Sequence, residues 1–329
     1  MNKPLLSITI PTWNRASFLD TSLSILLPQL IKYKEIIELI ISDNCSTDNT
    51  KDVVESYIKQ YNEFSIQLYE QTENTGYYGN FKKCRELANG TYFWLLSDNE
   101  FLNIGLIKYL VESINKNPNV SSIYLRDWSD YLNSDSLNKS EYTKKLVSNE
   151  DLIKEAGYKL TLISAVIFKN SKENDNEIFK RFKGNSFLGF VLFLNALKEE
   201  KISMIISGVS LLSKFTPISF NVFKSFTIDM DECLIYGIEQ KMISNVSKEM
   251  LMNNIIKNLT QIHYTEYKIY GKIYGKNMGD IDSVNELLTK YLNQYGGFDK
   301  YLRGKIKRNK NILKCQYFLN KIFRTLNLK

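Results

Sequence analysis

The chain has one histidine, four cysteines and five prolines in 329 residues. Each scarcity removes a class of chemistry. His263 stands alone in a tyrosine-rich helical stretch with no second metal-type side chain nearby, so it reads as a packing or surface residue. Cys45, Cys84, Cys233 and Cys315 are widely spaced and form no CxxC pair. That argues against zinc ligation and a disulfide framework, and suits a reducing cytosol. Neither GxGxxG nor GxxxxGKS/T occurs, which disfavours a dinucleotide site and a P-loop. The longest nearly apolar stretches, Ser186–Leu197 and Ile202–Leu212, fall short of the roughly 20 residues that span a bilayer. Residues 1–4 run directly into a strand-like segment without a secretory signal pattern, so a cytoplasmic protein is expected.

A uniform excess of basic charge is also lacking. The whole chain carries +7, but residues 297–329 hold ten Lys/Arg against Asp299, a net +9. Subtracting that from the total leaves −2 for residues 1–296. The body is near neutral with a basic tail, and no nucleic-acid partner is expected. The 43% apolar and 24% charged content excludes a disordered chain.

What is present is a regular alternation of strand and helix patterns. Strands are expected at Leu6–Ile10, Ile36–Ser42, Ile66–Tyr69 and Tyr92–Leu96, the last an apolar run ending in Ser97-Asp98-Asn99-Glu100. Between them, Leu19, Leu23, Leu26, Leu27 and Leu30 recur at helical spacing, as do Val53, Val54, Tyr57, Ile58 and Tyr61. A third helix follows the glycine-punctuated loop Asn74–Asn80 and ends at Asn89-Gly90. A fourth carries Leu106, Ile107, Leu110, Val111 and Ile114. This order predicts βαβ units on a mostly parallel sheet flanked by helices, an α/β fold. It places Trp13-Asn14-Arg15, Asp43-Asn44, the 74–80 loop and Asp98–Glu100 on one rim, where ligands of open α/β sheets bind. Further on, Ser121–Trp128 and Thr161–Phe168 read as strands, Asp130–Ser148 as a polar excursion, and Phe187–Leu197 as an apolar helix. Met204–Leu212 reads as a strand with a glycine bend. From Asp229 the pattern is helical, over Glu249–Tyr270, Asp282–Tyr295 and Asp299 to the end. The expected division is residues 1–228 and a helical C-terminal region, 229–329.

Residues 5–115 resemble the N-terminal part of a family 2 glycosyltransferase of GT-A (Rossmann-like) fold. The resemblance rests on Pro11-Thr12-Trp13-Asn14-Arg15 after the first strand and on Ser42-Asp43-Asn44-Cys45-Ser46-Thr47-Asp48 after the second. It continues in Asn74, Gly76 and Asn80, then Ala88, Gly90 and Tyr92 leading into Ser97-Asp98-Asn99-Glu100. The stretches Leu160–Phe168 and Gly184–Leu197 are loosely similar to the bacterial branch with abequosyltransferase-like enzymes. The resemblance implies a nucleotide-sugar site made by Pro11, Thr12, Trp13, Asn14, Arg15, Asp43, Asn74, Gly76, Asn80, Ser97 and Asp98. Trp13 would stack on the base, Asp43 would accept a base N–H, and Arg15 would pair with phosphate. It also implies Mn²⁺ or Mg²⁺ at Asp98, Asn99 and Glu100. Here the family's metal-contacting aspartate aligns with Asn99 or Asp98, and an amide is a poorer ligand than a carboxylate.

The catalytic base of an inverting member usually lies at a helix start about a hundred residues beyond the metal motif, and here Phe182–Gly189 contains no acid. Glu199 and Glu200 end the following helix and read as solvated; Asp127 and Asp130 are substitutes by position alone. No catalytic residue is assigned. The expected activity is sugar transfer from a nucleotide diphosphate donor to a saccharide, free or polyprenyl-linked, with inversion, in surface polysaccharide synthesis. The alternatives are a catalytically inactive binding or assembly subunit and a sugar-nucleotidyltransferase. In the tail, Cys315–Leu326 keeps apolar i, i+3, i+4 spacing beside basic residues. Residues 299–329 therefore offer a peripheral contact with the inner face of the plasma membrane, or a packed terminal helix.

Overall fold

The computed structural model describes residues 3–126, 128–129, 141–208, 211–213, 221, 224–256 and 290–291. The chain divides into two compact units: residues 1–215 with 237–244, and 216–236 with 245–329. The first unit is built on an eight-stranded sheet ordered β3-β2-β1-β4-β9-β6-β10-β8. Its strands are β1 (Leu6–Thr12), β2 (Ile37–Asp43), β3 (Ile66–Glu70), β4 (Tyr92–Leu95), β6 (Ser122–Leu125), β8 (Thr143–Ser148), β9 (Val166–Lys169) and β10 (Ile202–Ser207). The block β3-β2-β1-β4 is parallel throughout. Strand β9 runs against both β4 and β6, and β8 runs against β10. A smaller sheet pairs β5 (Glu100–Leu102) with β11 (Leu211–Ser213), and β11 with β7 (Trp128–Ser129).

Helices α1 (Ala16–Leu30), α2 (Thr50–Gln60), α3 (Gly76–Leu87) and α4 (Leu106–Lys116) follow the patterned segments. Pro28 lies inside α1, which continues to Leu30. The apolar residues expected on α4, Leu106, Ile107, Leu110, Val111 and Ile114, are all buried. Each such side chain contributes on the order of 1.5–3 kcal/mol by leaving water. In β1, Ser7 and Thr9 are as fully buried as Leu6, Ile8 and Ile10. Small polar groups there make room for close neighbours. Gly90 packs so tightly that a Cβ on it would lie 2.6 Å from the Ser7 backbone nitrogen. Its N–H donates to the Ser7 hydroxyl and to buried Glu38, which also accepts the Asn89 N–H at 2.6 Å. The glycine in Ala88-Asn89-Gly90 is thus required by contact with β1.

Beyond residue 120 the structure departs from the pattern in places. The expected strand Thr161–Phe168 starts only at Val166. Before it come two 3-10 turns, Gly157–Thr161 and Ile163–Ala165, which turn the Ser164 carbonyl onto the Trp94 indole N–H at 2.8 Å. The expected strand Ser121–Trp128 is divided between β6 and β7. Met204–Leu212 is likewise divided between β10 and β11, with Gly208 in a left-handed conformation between them. Part of the polar excursion, Thr143–Ser148, is the edge strand β8. Its exposed Thr143, Lys145 and Leu146 suit an edge, and the polar composition hides it from the pattern.

Helices α5 (Asn149–Ala156), α6 (Asp175–Arg181) and α7 (Leu188–Ala196) complete the body; α7 falls where Phe187–Leu197 was expected. In the second unit, a π-helical turn (Ser225–Asp229) leads into α8 (Met230–Glu239), which crosses the unit boundary, and α9 spans Asn245–Ile255. Lys248 pairs with Asp231 at 2.8 Å within this unit. The helices expected over 257–270, Asp282–Tyr295 and Asp299 onward fall outside the described residues, apart from Lys290 and Tyr291, which are helical. So do His263, Asp127, Asp130 and the basic tail.

Candidate functional site

The parallel strands β1, β2 and β4 end on one rim, and the loops that follow are tied to one another there. Asn14, with φ 51°, donates its backbone N–H to the Ser46 hydroxyl at 2.8 Å, and its side-chain carbonyl accepts the Thr47 N–H at 2.7 Å. Asp48 accepts the Ala16 N–H at 3.2 Å and the Thr50 N–H at 3.0 Å, so one carboxylate caps the starts of α1 and α2. Asp43 is buried, and its carboxylate accepts the Ser46 backbone N–H at 3.2 Å and the Ser46 hydroxyl at 2.5 Å. It closes an Asx-type turn. A carboxylate has about four acceptor sites, so this leaves capacity for a base N–H.

A second set of bonds centres on Asn44, which is 4% exposed. Its carbonyl oxygen accepts from Gln71 at 3.0 Å, the Thr75 N–H at 2.9 Å and the Thr75 hydroxyl at 3.0 Å. Its amide donates to the Asn74 carbonyl at 2.8 Å and the Gly76 carbonyl at 3.3 Å. Gln71 also donates to Asn80 at 3.0 Å, and Asn80 donates to the Thr12 carbonyl at 3.3 Å. Asn74, Gly76 and Asn80 therefore serve first to lock the 71–80 loop to β1 and β2. Gly76 is left-handed with φ 69°, a conformation glycine adopts without strain. Asn44 both donates and accepts, which a carboxylate cannot do. We predict that Asn44→Asp lowers unfolding free energy by about 2 kcal/mol, because the new oxygen faces the Asn74 and Gly76 carbonyls. Urea denaturation of the two proteins measures this directly.

The third set surrounds Asp98. Its Oδ1 pairs with Arg15 Nη1 at 3.0 Å, and its Oδ2 accepts the Thr12 hydroxyl at 2.9 Å. The carboxylate is 5% exposed and the guanidinium side chain 36%. Burial pushes the Asp98 carboxyl above its ordinary range, while Arg15 and Thr12 pull it part of the way back. The turn itself is held by Ser164, whose hydroxyl accepts the Ser97 N–H at 2.9 Å. The Ser97 hydroxyl donates to the Asn99 carbonyl at 2.6 Å. Glu100 opens β5, and its backbone N–H donates to the Ser97 carbonyl at 3.2 Å.

Trp13 stands 49% exposed on this rim, so it is not a core aromatic. Pro11 sits in β1, in register with Ser42. Thr12, Asn14, Arg15, Asp43, Asn74, Gly76, Asn80, Ser97 and Asp98 are thus brought together by hydrogen bonds. Gln71, Thr75, Ser46 and Ser164 belong to the same assembly and are not among the expected site residues. Ser46 and Thr75 lie inside segments placed on the rim by the sequence, whereas Gln71 and Ser164 carry no local signal.

Of the three residues expected to hold a divalent cation, two are already engaged by neighbours, and Glu100 would hold it together with the donor's own phosphate oxygens. Asp98 is already neutralised by Arg15, and Asn99 offers an amide oxygen that accepts from Ser97. Among the described residues there is no group of three or more His, Cys, Asp or Glu able to hold a metal. At the start of α7, where the resemblance implies a base, the Asn185 side-chain carbonyl accepts the Phe187 N–H at 2.8 Å.

Three comparisons with known proteins bear on this rim. The abequosyltransferase RfbV of Salmonella typhimurium is 37% identical over 98 residues, 30% of this chain and 29% of that one; the chain thus matches under a third of that relative's length. The structure of S. aureus TarS 1-349 in complex with UDP-GlcNAc has a TM-score of 0.60 at 14% identity, covering 88% of this chain and 80% of that one. A mannosyltransferase from Pyrobaculum calidifontis, solved with GDP-Man and Mn²⁺, has a TM-score of 0.50 at 12% identity over 93% and 84% of the two chains. The likeness to these structures establishes the GT-A fold. The model of glycosyl transferase family 2 matches residues 7–179, from the first strand past the last rim residue and over more than half of the sequence, and the chain belongs to that family.

Proposed function

We propose that the protein transfers a sugar from a nucleoside diphosphate donor to a saccharide acceptor. The observation that carries this reading is the convergence of the β1, β2, β3–α3 and β4 loops into one hydrogen-bonded rim. It presents exposed Trp13 and half-exposed Arg15 beside buried Asp43 and Asp98. An aromatic face for a base, an acceptor for its N–H and a guanidinium for phosphate are the groups a nucleoside diphosphate requires. Structural neighbours that bind UDP-GlcNAc and GDP-Man support the donor class. The stretch shared with an abequosyltransferase supports sugar transfer, and a role in surface polysaccharide synthesis rests on the sequence resemblance.

In the transfer, an acceptor hydroxyl oxygen attacks the anomeric carbon from the face opposite the diphosphate. The anomeric C–O bond breaks with its electron pair on the departing nucleoside diphosphate, the hydroxyl proton is lost to base, and configuration inverts. A lipid-linked acceptor and a peripheral position on the inner membrane face rest on the basic, amphipathic sequence of residues 299–329. No helix among the described residues is long and apolar enough to cross a membrane.

The test is incubation of the full chain with UDP-, GDP-, dTDP- and CDP-sugars and a lipid-linked saccharide acceptor. Sugar incorporation, with the new anomeric configuration read by NMR, is the expected result. A second reading, a donor-binding subunit without turnover, is favoured by the absence of a carboxylate from Phe182–Gly189. Donor binding by calorimetry with no transfer to any acceptor would select it. Absence of binding to all four donors would overturn both.

A further inference from the structure

We infer that the transferred sugar is a 6-deoxyhexose, whose methyl group enters an apolar recess that opens on the rim between α7 and the turn before β9. The inference rests on the donor reading above and adds to it the class of sugar.

The recess lies under β4 and β9. Phe93 and Leu95 line it from β4, Val166 and Phe168 from β9, and Phe81 from α3, all of them buried. Strand β9 runs against β4, so the chain enters β9 at the rim, where β4 ends. There the Ser164 hydroxyl accepts the Ser97 N–H at 2.9 Å. Its neighbour Ile163, with Thr161 and Gly189, forms the half-buried mouth. Gly189, in the first turn of α7, keeps that mouth open. A Cβ on it would lie 3.4 Å from Ile163 Cγ2 and 3.4 Å from Phe81 Cε2, filling the gap between them at ordinary contact distance. Alanine is the better helix former, so neither the helix nor its packing calls for glycine here.

Strand order puts this recess next in line after the diphosphate. The sheet runs β2-β1-β4-β9, with neighbouring strands about 4.8 Å apart. Asp43 ends β2, Arg15 follows β1 and Asp98 follows β4. A donor with its base at Asp43 and its diphosphate at Arg15 therefore carries its sugar toward β4 and β9, above the mouth. The recess encloses about 280 Å³ out to its open mouth, yet its interior admits only about one methyl-sized group, so the sugar ring stays on the rim. Among the described lining residues, Thr161 has the one polar side chain, and its hydroxyl already donates to the Tyr158 carbonyl at 2.7 Å. No side-chain donor is left for a hydroxyl or acetamide oxygen, whereas a methyl needs none.

The test is calorimetric titration of the full chain, in Mn²⁺, with donors paired on one base. UDP-, dTDP- and CDP-glucose are compared with their 6-deoxyglucose counterparts, and GDP-mannose with GDP-6-deoxymannose. In the series that binds, the 6-deoxyhexose donor is expected to bind on the order of 10-fold more tightly, the discrimination an apolar pocket makes against an added hydroxyl. Gly189→Ala should reduce that ratio to about twofold or less, because its Cβ occupies the mouth. A general loss of folded protein does not move a ratio within a pair, so a merely structural role for Gly189 would leave it unchanged. Equal or weaker binding of the deoxy donor by wild type would overturn the inference and leave the donor reading intact. A preference that survives Gly189→Ala would do the same. No binding of any donor would overturn both. The wild-type comparison uses no substitution, so it stands even if the variant fails to fold.

Discussion

Asp98→Asn is expected to lower sugar transfer on the order of 100-fold, the loss seen when a preorganised charge is removed from an active site. The same substitution should not lower stability near neutral pH. Asp98 is 5% exposed, and burial raises its carboxyl above the ordinary range even with Arg15 and Thr12 beside it. The folded protein therefore holds this proton to higher pH than the unfolded chain does. Stability linked to Asp98 is full below the ordinary carboxylate range and is lost as pH rises through the raised folded value. An asparagine does not ionise, and its amide oxygen can still accept the Thr12 hydroxyl. The variant's stability relative to wild type should therefore improve as pH rises from acid to neutral. Thermal melts from pH 3 to pH 8, with transfer rates at the upper end, provide both readouts. A variant markedly less stable at neutral pH, or as active as wild type, would contradict the assignment.

Arg85→Ala is expected to lower unfolding free energy by about 3–5 kcal/mol, the usual consequence of stripping one partner from a buried ion pair. Arg85 is 1% exposed, and its Nε lies 2.9 Å from Asp175 Oδ2. Its other nitrogens donate to the Asn170 side chain and the Ser171 carbonyl. The guanidinium carbon lies 5.0 Å from the Phe93 ring centre and 5.6 Å from that of Phe168. One side chain on α3 thus reaches α6, the end of β9 and the aromatic faces of β4 and β9. Removing it leaves the Asp175 carboxylate without its cation. Lysine cannot reproduce the planar, multiply bonded fork, so Arg85→Lys should recover only part of the loss. Urea midpoints of the two variants, with unchanged denaturant slopes, decide the matter.

The first four strands and their helices were legible because burial on the sheet faces imposes apolar runs such as Tyr92–Leu96, and burial on one helix face imposes the spacing of Leu106–Ile114. Where those forces are weak, the sequence was opaque. Edge strand β8 has no buried residue on either face, so nothing distinguishes Thr143–Ser148 from a loop. The interval before β9 is apolar like a strand, yet Ser164 is drawn into a turn by bonds to Trp94 and Ser97, partners some 70 positions away. At the rim, residue types were readable from the turns while their partners were not. An asparagine in a turn looks the same whether it faces solvent or, like Asn44, binds Gln71, Asn74, Thr75 and Gly76. Arg15 was legible as a phosphate-binding candidate, but its pairing with Asp98 depends on β1 and β4 being neighbours. That adjacency is a property of the sheet order.

The bonds joining Asn14 to Thr47, Asn44 to Thr75 and Gln71 to Asn80 have a consequence for anyone wishing to redirect the enzyme to another nucleotide. Segments 12–16, 43–50 and 71–80 form a single inheritable cassette. A graft that imports one of them into a foreign host leaves its hydrogen-bonding complement behind, whereas all three moved together carry their own scaffolding.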